Sequence, residues 1–418
     1  MTTTLPWAPG VRSALLLCLG AAALAIVMSL DKSLVDDAFI YLRVAHNVVD
    51  GKGWSYNGDA ISNPTTAPLY ELLLIAVSAV PGVLLALYGA GIFLIGWGML
   101  RAWPGGEPAL AMASAVVAAF GPTVLKSAGL ETSIFLAFIV LAALSYQEHG
   151  ATVQTGVLTG LAALVRPKGV ALLGLILATE SLRSRSLAWR RFEPLMLGAV
   201  IVIVPWVASA TVVFGSPLPH SLKVKAAQST IGWWAGQPPF LVAFLEQTPV
   251  PYLTFPLAAW GLWPAWTRAL QGCVVPALLI TFGMIQVGGY SILSAPVGYS
   301  WYFAPGNLAV DLAIVLALHD LGSRILRRGP CYPQEATTRG FHGEGSRSRL
   351  PAPESWCWRC RRSACCRGVR SNPIDTVLNT RRWERGWIPI RPRLRVSRAR
   401  RSATSAFTPS DRSSMSTD

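Results

Sequence analysis

Two adjacent carboxylates, Asp36 and Asp37, stand in the polar stretch 34–70 of a chain that is otherwise poor in charge. A carboxylate can take a proton from a hydroxyl group as a general base. Together with polar neighbours, a carboxylate pair can also hold a divalent cation through oxygen ligands. Aspartate at the start of a helix is, however, also a common cap that complements the helix dipole. The pair by itself therefore indicates either a reaction site or a helix terminus.

The residues that follow the pair predict a short helix from Asp36 to Val49. Two sets of side chains recur at the spacing of a helix face. One face carries Phe39, Leu42, His46 and Val49, and another carries Asp36, Arg43 and Asn47. The pattern predicts an amphipathic helix, in which Arg43 and Asn47 stand beside the carboxylates as candidate substrate-binding residues.

Three further charged residues, Glu131, Arg166 and Lys168, stand in apolar surroundings. Such residues are functional candidates because removing a charge from water is costly unless the residue lines a cavity. Glu131 could bind a substrate, or it could cap the helix that starts at Thr132. Arg166 and Lys168 flank Pro167 at a helix break, where they could bind a phosphate group or be ordinary loop charges.

The loop 215–237 carries a second group of positive side chains, His220, Lys223 and Lys225. Their charge favours an anionic partner, and a solvated loop is the alternative. Tyr302 follows Tyr299 and Trp301 just before the last apolar segment. These aromatic residues could line a substrate site, with Tyr302 as the binding residue, or form the aromatic belt that is typical of a membrane interface.

The elements that must position these residues are apolar. Of the 418 residues, 52% are hydrophobic and only 14% are charged, against about 25% charged in an average soluble domain. This composition argues against a soluble enzyme, a disordered protein and a disulfide-rich secreted module. It predicts an all-α, polytopic transmembrane bundle with about ten or eleven membrane segments, each needing about 20 apolar residues to cross a bilayer. The short helix from Asp36 would lie at the membrane surface.

Basic loops predict the orientation of the bundle. The densest basic cluster consists of Arg183, Arg185, Arg190 and Arg191, which we expect on the cytoplasmic side. The loops 31–66 and 215–237 are then expected together on the outer side. If every segment between 67 and 183 crossed the membrane, counting back from Arg183 would place Arg101 inside, whereas counting forward from the outer loop 31–66 would place it outside. One short segment is therefore expected not to cross fully.

Four segments carry a resemblance to a known family. They read DDAFIYLRVAHNVVDGKGWSYNGD followed by NPTTAPLY, SAGLETSIF (127–135), LAALVRPKGVALL (161–173) and GSPLPHSLKVKA (215–226). Together they resemble the GT-C membrane glycosyltransferases, in the branch that includes mycobacterial terminal arabinofuranosyltransferases. The resemblance spans about residues 10–322. Lys168 departs from it, because the family often has aspartate at this position.

The resemblance implies an inverting glycosyltransferase that takes a sugar from a polyprenyl-phosphate carrier. The acceptor would be a glycan, lipid or protein of the cell envelope, on the outer side of the bacterial cytoplasmic membrane. Asp36 aligns with the first acidic position and is the expected base. Asp37 is the alternative base, or an orienting or metal-binding partner. No cofactor is certain, and a divalent cation stays possible. The competing hypotheses are a transporter or flippase of a lipid-linked substrate and an inactive, truncated remnant.

The C-terminal region has a different composition from the rest. Residues 331–418 hold 18 of the 36 basic residues, all of them arginine, and 7 of the 21 acidic residues. Most of the net charge of +15 therefore belongs to this segment, and it does not indicate a nucleic-acid partner for the apolar body. We expect a transmembrane domain over residues 1–328 and a disordered Arg-rich tail over 329–418. The tail is either derived from a frameshift or native.

Overall fold

The computed structural model of the chain describes residues 9–30, 33–58, 61–77, 81–104, 106–185, 188–228 and 236–328. The predicted Arg-rich tail, 329–418, lies outside the described residues. Within these ranges the chain forms α-helices and short 3-10 turns and no β-strand, which confirms the all-α prediction. The helices are α1 (Pro9–Ser29), α2 (Asp36–Val49), α3 (Pro68–Ala76), α4 (Pro81–Arg101), α5 (Pro108–Phe120), α6 (Pro122–Leu125), α7 (Thr132–His149), α8 (Val153–Val165), α9 (Val170–Ser184), α10 (Glu193–Phe214), α11 (His220–Gln228), α12 (Phe240–Glu246), α13 (Pro251–Leu270), α14 (Val275–Ile292) and α15 (Ala304–Arg328).

Local sequence explains where many of these helices begin. Proline occupies the first position of α1, α3, α4, α5, α6 and α13. It is tolerated there because the first amide of a helix has no partner within the helix, and the fixed proline φ angle suits the helical conformation. At the other end, α10 stops before Gly215, which has a φ of +70°. Proline and glycine thus divide a nearly continuous apolar sequence into separate helices.

Five segments of the described chain are long and apolar enough to cross a membrane: Gly82–Arg101, Pro108–Leu125, Thr132–His149, Glu193–Phe214 and Val275–Ile292. Ser13–Ser29 and Val153–Val165 are shorter apolar helices. The protein is therefore a helical bundle with several membrane-spanning candidates, as its composition predicts. The finer expectation of ten or eleven membrane segments stays a prediction.

Side-chain pairs define two opposite ends of this bundle. At one end, Arg166 at the close of α8 meets Glu131 at the start of α7, with 2.7 Å between Nε and Oε1. At the other end, Arg101 at the close of α4 meets Glu148 near the close of α7, with 2.8 Å between Nη2 and Oε1. Asp37 lines a cavity together with Glu131 and Arg166. We therefore name the two ends the Asp37 end and the Arg101 end.

The short helix α3 is the candidate for the segment that does not cross the membrane fully. Its 9 residues rise only about 14 Å, whereas a bilayer core is about 30 Å thick. Both α3 and α4 begin at the Asp37 end. Tyr70 in the first turn of α3 donates to the carbonyl of Gly129 at 2.9 Å, and Leu84 near the start of α4 lies beside the same glycine, just before Glu131. The expectation that one short segment does not cross fully stays a prediction, and the length of α3 makes it the candidate.

Helix α2 spans Asp36–Val49, as the residue spacing predicts, and it packs one side against the bundle. Phe39 and Val49 are exposed, at 56% and 47% of their surface. The buried side chains are Ala38, Tyr41, Leu42, Val44, Ala45 and Asn47. The small alanines on this side let α2 approach the bundle closely. Phe39 and Val49 thus lie on the outer side of α2, and the predicted position of this helix at the membrane surface stays a prediction.

Cysteine labelling tests whether α3 turns back. In a variant without the seven native cysteines, Asn57→Cys before α3 and Gly82→Cys after it should react with a membrane-impermeant maleimide from the same side of sealed vesicles. Arg185→Cys should react from the opposite side. All three positions are exposed. Labelling of positions 57 and 82 from opposite sides would show that α3 crosses the membrane.

Candidate functional site

A cavity of about 410 Å³ opens at the Asp37 end. Six parts of the chain meet around it: α2, the loop before α3, the start of α7, the turn between α8 and α9, the end of α14 with the segment after it, and the aromatic segment before α15. Its polar lining includes Asp37, Tyr41, Glu131, Arg166, Lys168 and Tyr302. A space of this size holds a small molecule or the headgroup of a larger one.

A buried ion pair forms one wall of the cavity. Arg166 and Glu131 are only 5% and 3% exposed, and their Nε and Oε1 atoms lie 2.7 Å apart. Arg166 also donates from Nη2 to Thr132 Oγ1 at 3.0 Å. The Glu131 side chain makes no cap hydrogen bond to α7. Of the two interpretations of Glu131, the helix cap is therefore wrong, and the carboxylate instead binds Arg166.

The turn between α8 and α9 places Arg166 and Lys168 in the cavity wall. Arg166 precedes Pro167, a position that disfavours the helical conformation, and its φ of −149° and ψ of 129° are extended. A 3-10 turn, Pro167–Gly169, follows. A Cβ atom on Gly169 would lie 2.6 Å from the carbonyl carbon of Ala162, so glycine permits the turn to pack on the end of α8. Gln286 on α14 donates to the Lys168 carbonyl at 3.3 Å and fixes the turn from the other side.

Lys168 points its ammonium group towards three aromatic rings. Its Nζ atom lies 5.2 Å from the ring centre of Phe135, 4.9 Å from that of Tyr290 and 5.7 Å from that of Tyr302. A cation over such ring faces is attracted by their negative potential. The nitrogen is buried and has no hydrogen-bond partner in the described chain. Burial, together with the nearby Arg166 charge, holds the pKa of Lys168 well below its ordinary value.

The aromatic segment before α15 lines the cavity and does not form a membrane-interface belt. Tyr302 stacks on Tyr290 with ring centres 4.9 Å apart and planes at 11°. Trp301 is 8% exposed and also lines the cavity. The belt interpretation is therefore wrong for Trp301 and Tyr302. Tyr299 donates to Gln228 Oε1 at 3.1 Å, which connects this segment to the end of α11.

The two adjacent aspartates occupy different environments. Asp37 is half-buried and lines the cavity. Asp36 is exposed, is not part of the cavity lining, and accepts a hydrogen bond from the backbone N–H of Asp37 through Oδ1 at 2.9 Å. Asp36 makes no cap hydrogen bond to α2, but it stands in the first turn, where its charge complements the helix dipole. Asp37 is the carboxylate that lines the cavity.

Arg43 and Asn47 hold the first loop and lie outside the cavity lining. The buried Asn47 donates from Nδ2 to the carbonyls of Ser55 and Tyr56, each at 2.9 Å. The exposed Arg43 donates from Nε to the carbonyl of Tyr56 at 3.4 Å. Both side chains therefore hold the loop in place. The sequence-based prediction had assigned them to substrate binding.

The second loop meets the first one at the Asp37 end, as the sequence predicts. The backbone N–H of His220, at the start of α11, donates to the carbonyl of Asn63 at 3.0 Å. The His220 side chain is exposed and is not among the cavity residues. Lys223 and Lys225 belong to α11, but their side chains lie outside the described part of the structure. Their assignment to substrate binding stays a prediction.

Asp37 is also a predicted metal-binding residue. Among the described residues, no three His, Cys, Asp or Glu side chains come together in a group that could hold a metal ion. A divalent cation at Asp37 would therefore need most of its oxygen ligands from other groups, such as a substrate phosphate. The requirement for a cation stays a prediction.

Three residues near the cavity escaped the sequence analysis. Tyr41 lines the cavity one helical turn after Asp37, and this spacing of four residues was a usable signal. Tyr290 comes from a long apolar segment with no signal of its own. Glu71 is fully buried in α3, and burial raises the pKa of its carboxyl group well above the ordinary value. Its signal was a single acid within an apolar run.

The chain was compared with protein-family models, with curated proteins and with solved structures. None of these comparisons finds a match. The function of the cavity must therefore be argued from its own residues and from the resemblance of the sequence segments.

A double-mutant cycle tests the buried ion pair. Glu131→Leu or Arg166→Met alone should lower the free energy of unfolding by about 3–5 kcal/mol, because each leaves one buried charge uncompensated. The double variant should be more stable than either single variant. Unfolding in mixed detergent micelles measures all three. The partly exposed pair Arg101–Glu148 is the control and should show smaller effects. Additive losses at positions 131 and 166 would contradict the pairing.

Proposed function

We propose that this chain is an integral membrane glycosyltransferase that moves a sugar from a polyprenyl-phosphate carrier to a cell-envelope acceptor. The observation that supports this proposal is the cavity at one end of the bundle, where Asp37 shares a single space with Arg166 and Lys168. A sugar transfer from a phosphate carrier needs a base for the acceptor and positive charge for the leaving phosphate. The resemblance of residues 36–69 to the first outer loop of GT-C enzymes points to the same reaction.

In the proposed reaction the acceptor hydroxyl attacks the anomeric carbon as the bond between that carbon and the phosphate oxygen breaks. Asp37 takes the proton of the hydroxyl as general base. The electron pair of the broken bond stays with the phosphate, and Arg166 and Lys168 stabilise its charge. A single displacement of this kind inverts the anomeric configuration. Asp37 replaces Asp36 as the preferred base because only Asp37 lines the cavity.

The remaining candidate residues have supporting parts in this proposal. Glu131 keeps the Arg166 guanidinium in one orientation through their 2.7 Å contact. Tyr302 lines the cavity beside Lys168, where a bound sugar can contact it. His220, Lys223 and Lys225 stand in the loop that would meet the lipid carrier at the membrane surface. Arg43 and Asn47 act through the loop that they hold.

The proposed location is the bacterial cytoplasmic membrane, with the cavity open to the outer side. Supporting this orientation, α9 ends at Ser184 on the Arg101 end, since Tyr146 near the close of α7 donates to Glu180 at 3.0 Å. The basic cluster 183–191 follows that end, and basic loops favour the cytoplasm. A transporter of lipid-linked substrates is the second hypothesis, but transporters hold their substrates near the membrane midplane, whereas this cavity lies at one end.

Transfer assays with three forms of the protein test the proposal. Membranes that contain the full chain are supplied with a panel of radiolabelled polyprenyl-phosphate sugars. Asp37→Asn should reduce transfer by about 100-fold or more, since a general base contributes that much or more. Asp36→Asn is the matched control and should keep most of the activity. Unchanged transfer by Asp37→Asn would remove Asp37 from the mechanism. A wild-type protein inactive with every donor would favour a transporter or an inactive remnant.

A further inference from the structure

The two cations of the cavity differ in how their charges are balanced. Arg166 has Glu131 at 2.7 Å, so its charge is compensated within the protein. Lys168 has no ion-pair partner within 4.0 Å and no hydrogen-bond partner in the described parts of the chain. Lys168 is also the residue at which this sequence departs from the family it resembles. Its role therefore needs an explanation of its own.

The groups that face Lys168 from the neighbouring elements only partly favour a charge there. The guanidinium of Arg166 opposes it, and Glu131, which favours it, is already bound to Arg166. Tyr290 from α14 and Tyr302 from the segment before α15 present ring faces. Asp37 and Tyr41 from α2 line the same cavity.

Physical chemistry makes the charged form of Lys168 costly in the free protein. A buried ammonium group without hydrogen bonds loses its hydration, which is very unfavourable. Contacts with ring faces offset only part of this loss. Lysine, unlike arginine, can avoid the remaining cost by releasing its proton. The direction of the Lys168 pKa agrees with this argument.

We propose that Lys168 is uncharged in the free protein and takes up a proton when an anionic phosphate group enters the cavity. The phosphate supplies the counter-charge and the hydrogen-bond acceptors that the protein does not provide around Nζ. The inference rests on the proposed phosphate-binding function of the cavity and adds a coupling between that binding and proton uptake. Lys168 thereby becomes the residue that makes the cavity select an anion.

The coupling has a defined sign. Because the bound form holds one proton more than the free form, affinity falls as pH rises. Between the pKa of Lys168 in the free protein and its higher pKa in the complex, the affinity should fall about tenfold per pH unit. Below the lower of these two values, affinity should not depend on the protonation of Lys168.

Calorimetry on the full chain in detergent micelles tests the coupling. The probe is farnesyl methyl phosphate, a phosphodiester that keeps one negative charge over the whole range and so adds no titration of its own. Heats of binding are compared at one pH in two buffers with different ionisation enthalpies, which gives the number of protons taken up. We expect an uptake approaching one proton for the wild-type protein at neutral pH, and an affinity that falls with pH.

Two variants and a control sharpen the measurement. Lys168→Arg keeps its charge at all relevant pH values, so it should bind the probe without proton uptake. Lys168→Met should bind at least about tenfold more weakly at low pH, because it lacks one charge-assisted hydrogen bond of 1.4 kcal/mol or more. Lys126→Met removes an exposed lysine at the same end of the bundle and should behave like the wild type.

The outcomes separate the inference from the proposed function. Wild-type binding without proton uptake would overturn the inference and leave the phosphate site intact. Proton uptake that persists in Lys168→Arg would also overturn it, because another group would then be titrating. Failure of the wild-type protein to bind the probe at any pH would instead overturn the proposed phosphate site itself.

Discussion

The buried contact between Arg166 and Glu131 is the interaction on which the rest of the site depends. It joins the start of α7 to the turn after α8, at 2.7 Å and with both side chains nearly inaccessible to water. Because an unpaired charge at this depth is very unfavourable, the two helices are held in one register. That register then fixes Lys168, two residues further along, opposite Phe135 on α7. The cavity is thus organised by a charge pair and not by apolar packing alone.

The length of α3 explains why polar groups collect at the Asp37 end. Because α3 has only 9 residues and both α3 and α4 begin at this end, the first loop and the start of α4 lie together here. The Arg101 end has separate contacts that tie its helices to each other: Arg101 with Glu148, and Arg268 with Glu107 at 3.3 Å. Each end therefore has its own buried or half-buried charges, and the apolar middle of the bundle connects them.

Sequence reasoning predicted those features that depend on neighbouring residues. The bounds of α2 follow from the spacing of its residues, and the stretch that contains Asp37 was identified because it is polar in an otherwise apolar chain. The choice between Asp36 and Asp37 could not be made, because adjacent residues on a helix differ by about 100° in direction and only the packing of α2 shows which one faces the cavity. The aromatic surroundings of Lys168 also escaped prediction, since Phe135, Tyr290 and Tyr302 are brought together only by the fold.

The aromatic rings around position 168 favour a lysine there. The faces of aromatic rings carry negative potential, so they attract an ammonium group and repel a carboxylate. An aspartate at position 168, as the resembling family often has, would be too short to reach the rings and would add a second negative charge beside Glu131. In this chain, by contrast, the three ring faces complement the protonated form of Lys168. The lysine that departs from the family pattern is therefore matched by its surroundings, and this match supports the proposed binding of an anion beside it.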